Sequence, residues 1–113
     1  METLFYRFEN GSRTLAQRPQ VVGVVGSGNL EVLIEAVSQN GACTVEIKTT
    51  ARGFGAIWEA VICDFQQRWR LLDTRIAIND VGATPAVVSL RLDQAVESML
   101  KDKASTTRPK GGA

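Results

Sequence analysis

Residues 24–31 read Val24-Val25-Gly26-Ser27-Gly28-Asn29-Leu30-Glu31, a serine between two glycines with an apolar run on each side. The apolar runs predict two strands of a hairpin over about 21–37. Gly-Ser-Gly-Asn is typical of a turn, because glycine takes positive φ without a Cβ penalty and asparagine tolerates it. We therefore expect Ser27 at the hairpin tip with its hydroxyl toward solvent, open to a large partner. A plain hairpin loop is the simpler interpretation of the same turn.

The residues around Ser27 do not match three motifs that also combine glycine with serine or phosphate binding. The order Gly23-x-x-Gly26-x-Gly28 differs from the G-x-G-x-x-G of dinucleotide-binding folds, and a strand rather than a helix is predicted to follow. A P-loop would need a Gly-Lys-Ser/Thr, and a nucleophile elbow would need G-x-S-x-G. The sequence contains no histidine, so it cannot assemble a Ser-His-Asp triad.

Composition limits the class of protein further. The 113 residues are 44% hydrophobic and 22% charged, which predicts one globular domain with its own core. A formal net charge of +1 gives no basic field for nucleic acid or an anionic membrane. Because we find no membrane-length apolar run and no secretory h-region, we expect a cytoplasmic protein. Cys43 and Cys63 lack zinc-ligand spacing and are expected to be buried free thiols, with a reactive thiol as the alternative.

Alternating apolar and polar residues predict three further strands, at Glu2–Phe8, Cys43–Thr49 and Thr74–Asp80. The alternation is clearest in Cys43–Thr49, which predicts one buried face and one wet face. Asn40-Gly41 is a strong hairpin signal, so the strand at 43–49 is expected to run antiparallel to the strand before it.

Two helices are predicted, at about Gly53–Arg70 and Pro85–Lys101. Spacings of three and four place one apolar stripe on the first helix. Its members are Phe54, Ile57, Trp58, Val61, Ile62, Phe65 and Trp69. We expect Phe54, Trp58 and Phe65 to anchor the core, each contributing about 2–3 kcal/mol if fully buried. An aromatic cofactor pocket is the alternative.

The second helix is expected to begin with a capping Thr84 hydroxyl and Pro85 at its first position. Val88, Leu90 and Leu92 also alternate like a strand, but the good helix formers at 94–101 favour a helix. The sequence thus predicts an α+β domain over 1–101, with a mostly antiparallel sheet of four or five strands and two helices packed on one face. Residues 102–113 are expected to form a disordered tail.

Three stretches together resemble the acyl carrier (delta) subunit of malonate decarboxylase. They are residues 25–32 around Ser27, Gly53-Phe54-Gly55 with Trp58 close behind, and Ile78-Asn79-Asp80-Val81-Gly82-Ala83-Thr84-Pro85. The resemblance covers nearly the whole chain up to about residue 100. The chain also resembles, more distantly, the carrier (gamma) subunit of citrate lyase.

The resemblance implies that Ser27 carries a covalent prosthetic group, 2'-(5''-phosphoribosyl)-3'-dephospho-CoA, joined through a phosphodiester. The attachment loop would be Gly26, Gly28 and Asn29, although aspartate is common in the family at the position of Asn29. The thiol of this group would hold acetyl or malonyl as a thioester. The implied partners are acyltransferase and decarboxylase subunits and a prosthetic-group transferase. The chain itself would be a non-catalytic carrier, in keeping with its lack of histidine.

Three other hypotheses remain. One is a non-covalent interaction module that docks through the hairpin, and another is a carrier of the citrate lyase type. A small stand-alone enzyme is the third, but no carboxylate pair or metal-ligand spacing supports it. We interpret the acidic candidates as strand-surface and turn residues; they are Glu31, Glu35, Glu46 and Asp80.

Overall fold

The computed structural model of the chain describes residues 1–9, 11–14, 20–27 and 29–107, with the backbone alone described for 20–27 and 100–107. Seven elements lie within these ranges. In chain order they are β1 (Glu2–Phe8), β2 (Gln20–Ser27), β3 (Leu30–Ala36), β4 (Cys43–Thr49), α1 (Gly55–Trp69), β5 (Thr74–Asp80) and α2 (Pro85–Thr107). The predicted bounds of β1, β4 and β5 are confirmed, and the predicted hairpin at 21–37 corresponds to β2 and β3.

In the described part of the chain, one five-stranded sheet has the order β1-β4-β5-β3-β2. The pairs β1/β4, β3/β5 and β2/β3 are antiparallel, and β4/β5 is parallel. Parallel neighbours need a long crossover connection, and α1 provides it between β4 and β5. The prediction of an α+β fold with a mostly antiparallel sheet is therefore confirmed.

The turn at Asn40-Gly41 reverses the chain as predicted, with φ of 56° and 83° at these residues. The strands that it joins, β3 and β4, run in opposite directions but are not neighbours, because β5 lies between them. Local turn chemistry specifies the reversal, whereas the hydrogen-bonding partner is decided by which strand fills the centre of the sheet. Ile76 and Ile78 make β5 suitable for that place, since both are fully or almost fully buried.

The core lies between one face of the sheet and the two helices. Alternate residues of β3, β4 and β5 point into it, and the members of its largest cluster come from these strands and from both helices. The fully buried side chains of greatest volume are Phe65, Ile34, Ile47, Ile62, Leu71, Ile76, Ile78 and Leu92. The prediction that both helices pack on one face is thus confirmed, and the other face of the sheet carries the polar positions.

Helix α1 lies within its predicted bounds, and two of its three expected aromatic anchors are confirmed. Trp58 and Phe65 are buried, but Phe54 is 47% exposed, so the prediction that Phe54 anchors the core is wrong. Phe54 is the N-cap residue, with φ −108° and ψ 24°, so helical periodicity does not govern the direction of its side chain. Ile57, in the first turn of the helix, is also exposed.

Helix α2 begins as predicted and ends later than predicted. The Thr84 hydroxyl accepts a hydrogen bond from the Val87 N–H at 3.3 Å, which confirms the cap. The helix continues to Thr107, about two turns beyond residue 101, through residues that include the helix formers Lys103 and Ala104. The rest of the expected tail, 108–113, lies outside the described residues. None of the described helices combines the length and apolar character that crossing a bilayer requires.

Candidate functional site

Ser27 is the last residue of the edge strand β2. It pairs with Leu30, the first residue of β3, and Gly26 pairs with Glu31. Only positions 28 and 29 of the chain separate the two strands. The predicted place of Ser27 at a hairpin end is confirmed. Gly28 and the direction of the Ser27 hydroxyl lie outside what the structure describes.

The strand register places this turn beside several other chain segments. Leu30 pairs with Asp80 of β5, and Asp80 pairs with Thr49 of β4. The hairpin turn, the carboxyl ends of β4 and β5 and the first turns of α1 and α2 therefore lie at one end of the sheet. We call this the hairpin end and define it by residues 26–31, 49–57 and 80–85.

The remaining predicted loop residue, Asn29, is exposed. Its backbone carbonyl accepts a hydrogen bond from the Val81 N–H at 2.9 Å. This bond ties the hairpin turn to the loop between β5 and α2, so the turn has a fixed position relative to the sheet.

Asp80 organises that loop. It is only 3% exposed, and its two carboxylate oxygens accept hydrogen bonds at 2.8 Å from the Thr49 hydroxyl and from the Ala83 N–H. Its backbone carbonyl also accepts from the Thr50 N–H at 3.1 Å. The interpretation of Asp80 as a turn residue is confirmed, because both side-chain oxygens hold the chain in place.

The three glutamates singled out by sequence lie on the solvent face of the sheet. Glu31 accepts a hydrogen bond from the Asn79 amide at 3.2 Å, and Glu35 forms an ion pair with Arg75 at 2.8 Å. Glu46 is exposed. Their interpretation as strand-surface residues is confirmed. Within the described ranges, no three potential metal ligands come together.

The two cysteines occupy different environments. Cys43 is fully buried, and burial raises the pKa of its thiol to about 12. A thiol with such a pKa is protonated at neutral pH and a poor nucleophile. Cys63 is free but only half-buried, so the expectation of two buried thiols is confirmed for Cys43 alone.

A pocket of about 350 Å³ opens at the hairpin end, between the starts of α1 and α2. Its lining residues are Ala51, Phe54, Ile57, Trp58, Val61, Asp80, Gly82, Ala83, Thr84, Pro85 and Val88. Phe54 and Ile57 are 47% and 44% exposed. The aromatic residues of α1 predict core packing, with an aromatic pocket as the alternative. The sequence signal for this pocket was the position of Phe54 between two glycines, which places it before the start of the helix and off its buried stripe.

The fold and this site define a small α+β domain that presents Ser27 at the end of an edge strand. The family described as "ACP: Malonate decarboxylase delta subunit (MdcD)" matches residues 17–99. This range covers both strands of the hairpin, the remaining core strands and most of α2. The chain belongs to the malonate decarboxylase delta subunit family.

Curated relatives agree with this assignment. The chain is 61% identical over 103 residues to a malonate decarboxylase acyl carrier protein of Stenotrophomonas maltophilia, covering 88% of this chain and 95% of the relative. It is 63% identical over 99 residues to the protein of the same name in Xanthomonas campestris pv. campestris, covering 86% and 93%. A relative from Burkholderia cepacia with this name is 58% identical over 95 residues, covering 84% and 87%.

A solved structure has a similar fold. It is a chain in the crystal structure of a Pseudomonas malonate decarboxylase hetero-tetramer in complex with malonate. The two chains are 35% identical with a TM-score of 0.69, and the match covers 88% of this chain and 99% of the other.

Proposed function

We propose that this chain is the acyl carrier subunit of malonate decarboxylase. In this role Ser27 carries phosphoribosyl-dephospho-coenzyme A through a phosphodiester. When bound, the group supplies a terminal thiol that holds an acetyl or malonyl group as a thioester. The observation that carries the proposal is the position of Ser27, which is the last residue of an edge strand and pairs with the first residue of the next strand.

The described residues fit a bulky substituent on Ser27. The residues on either side of Ser27 are glycines, which add no side chain that would obstruct a transferase. The neighbouring Asn29 is exposed. The hydrogen bond from the Val81 N–H to the Asn29 carbonyl and the pairing of Ser27 with Leu30 hold the attachment point of the prosthetic group in place. A prosthetic group tethered at a fixed point raises the effective concentration of its acyl group at each partner site.

The chain acts as a carrier and leaves the chemistry to other subunits. A sequence without histidine offers no general base of the usual kind, and Asp80 and Glu35 of the sheet are occupied in structural contacts. We therefore assign acyl transfer and decarboxylation to an acyltransferase and a decarboxylase subunit, and attachment of the group to a separate transferase. The free thiols Cys43 and Cys63 are in keeping with a reducing compartment, and we assign the protein to the cytoplasm.

The test is attachment of the prosthetic group in the presence of its transferase. The wild-type chain should gain one adduct with the mass of the phosphoribosyl-dephospho-CoA group, located in the peptide that contains Ser27. Ser27→Ala should fold normally by circular dichroism and stay unmodified. Ser38→Ala is the matched control, because Ser38 is exposed in a turn at the other end of the sheet, and it should be modified like wild type. Modification of the Ser27→Ala variant would overturn the assignment.

A non-covalent interaction module is the second candidate. It is favoured by the exposure of Phe54, Ile57 and Val81, three large apolar side chains at the hairpin end. On this hypothesis Ser27→Ala would retain function in the assembled complex. On the carrier hypothesis the same variant assembles but is inactive, so one substitution separates the two candidates.

A further inference from the structure

The hairpin-end pocket lies within reach of Ser27. Ser27 pairs with Leu30, and Leu30 pairs with Asp80, which lines the pocket. Neighbouring strands are about 4.8 Å apart, so about 10 Å separates the Cα atoms of Ser27 and Asp80. An arm of two riboses, a diphosphate and a pantetheine chain is longer than this distance. Its thiol end can therefore fold back to the pocket.

The pocket has the size and the walls of a site for a small apolar group. Its volume of about 350 Å³ lies in the range of small-ligand sites. Trp58 and Val88 form buried parts of the wall, and Phe54 and Ile57 stand at its exposed side. A group that entered between them would cover apolar surface that is otherwise in contact with water.

The charges that line the pocket favour a neutral occupant. Asp80 is the one ionisable side chain among the described lining residues, and its oxygens are already bonded to Thr49 and Ala83. The described lining includes no lysine or arginine. A carboxylate that entered would lose its hydration without gaining a cation, and it would be repelled by Asp80.

We propose that this pocket receives the acetyl thioester end of the prosthetic group at Ser27 and excludes the malonyl thioester. The inference rests on the proposed function. An acetyl group inside the pocket is shielded from hydrolysis, in which water adds to the carbonyl carbon, the C–S bond breaks and acetate and the free thiol result. The malonyl form stays outside, where a partner subunit can reach it. The pocket thus distinguishes the two cargoes by charge.

The first experiment locates the acetyl group. The holo-protein is prepared with its transferase, and its intact mass is checked so that a missing adduct, which refutes the proposed function, is detected at once. The thiol is then loaded with ¹³C-labelled acetyl or malonyl. Isotope-filtered NOEs should connect the acetyl methyl to Trp58 and Val88, and the malonyl group should give none. A modified protein without NOEs from the acetyl group to the pocket would overturn the inference and leave the proposed function intact.

The second experiment measures protection of the thioester by intact mass over time. An acetyl group that spends about nine-tenths of its time in the pocket should hydrolyse about tenfold more slowly than acetyl-CoA, because only the exposed fraction reacts. The malonyl thioester should hydrolyse at the rate of malonyl-CoA. Equal protection of both cargoes would show that charge does not control entry.

Variants that fill the pocket test whether the protection of the acetyl thioester comes from the pocket. Ala83→Phe fills the pocket from the α2 side and should abolish acetyl protection. Ala51→Leu fills it from the β4 side and serves the same purpose if the first variant does not fold. Ala60→Phe is the matched control, because Ala60 is exposed on α1 and does not line the pocket; it should keep full protection. Protection that survives both filling variants would contradict the inference.

Discussion

The two ends of the sheet differ in how their loops are held. The hairpin end contains a pocket and three exposed apolar side chains, those of Phe54, Ile57 and Val81. The opposite end, which we call the closed end, is defined by residues 11–13, 38–42 and 70–74. Hydrogen bonds join its segment 70–74 to each of the other two segments, and the pocket at this end has a mainly polar lining. The two ends of the sheet therefore differ in the character of their surfaces, which is apolar at the hairpin end and polar at the closed end.

Asp73 and Arg70 are the centres of the closed end. One carboxylate oxygen of Asp73 accepts from the Gln39 and Gly41 N–H groups at 2.9 and 2.8 Å. The Arg70 carbonyl accepts from the Ser12 and Arg13 N–H groups at 2.7 and 2.9 Å. These bonds satisfy backbone groups that the ends of strands and helices leave open.

Each end of the sheet has an aspartate at one end of β5, and the two aspartates differ in burial and in their contacts. Asp73 precedes the strand and binds two backbone N–H groups of a turn, whereas Asp80 ends the strand and is buried. Asp80 holds its loop through Thr49 and Ala83, but the loop still leaves space for the pocket. The hairpin end therefore combines a loop held by hydrogen bonds with a pocket beside it.

The largest effect is expected from a comparison of Phe65, within α1, with Phe54, the N-cap residue of that helix. Phe65 is fully buried toward the closed end of α1, and Phe54 is half-exposed at the hairpin end. Phe65→Ala should reduce the free energy of unfolding by about 3–5 kcal/mol, because it leaves a cavity. Phe54→Ala should cost less than about 1 kcal/mol. Urea unfolding of both variants tests the contrast, and equal losses would mean that the hairpin end is part of the core.

An intermediate effect is expected at Asp80. Asp80→Ala removes the acceptor of the Thr49 hydroxyl and of the Ala83 N–H, and should cost about 2–3 kcal/mol, since it leaves one buried and one partly buried donor unpaired. Asp80→Asn is the matched control, because its amide can still bond to both groups, and it should cost less. Urea unfolding gives the free energies, and hydrogen exchange at Ala83 reports the loop. Equal costs for the two variants would contradict this role.

The smallest effect is expected at Asp73 and depends on pH. The N–H groups of Gln39 and Gly41 hold the pKa of the Asp73 carboxyl below its ordinary value. Its contribution to stability is therefore present above the unfolded-state pKa and is lost as the pH falls through the folded-state pKa. Asp73→Asn should lower the stability slightly at neutral pH and flatten the loss of stability below about pH 4. Unfolding curves of both proteins at several pH values test this. The same loss of stability at acid pH in Asp73→Asn as in wild type would refute it.

Much of the fold was predictable because its signals are local. The alternation in β4 and β5 specified both strands to the residue, and Thr84-Pro85 specified the start of α2. The hairpin that carries Ser27 was predictable for the same reason, since Gly-Ser-Gly-Asn is turn chemistry. Phe54 was predicted wrongly because the helical period was extended to Phe54, which precedes the first helical residue.

The sequence by itself determined the elements and the place of Ser27 in a turn, because periodicity and turn residues act over a few neighbours along the chain. Only the tertiary structure decided that β5 lies between β3 and β4 and that β4 and β5 are parallel. It also decided that the turn after Ser27, the buried Asp80 and the pocket meet at one end of the sheet. These features join residues about thirty to fifty positions apart, and their geometry follows from packing a common core, which no local pattern records.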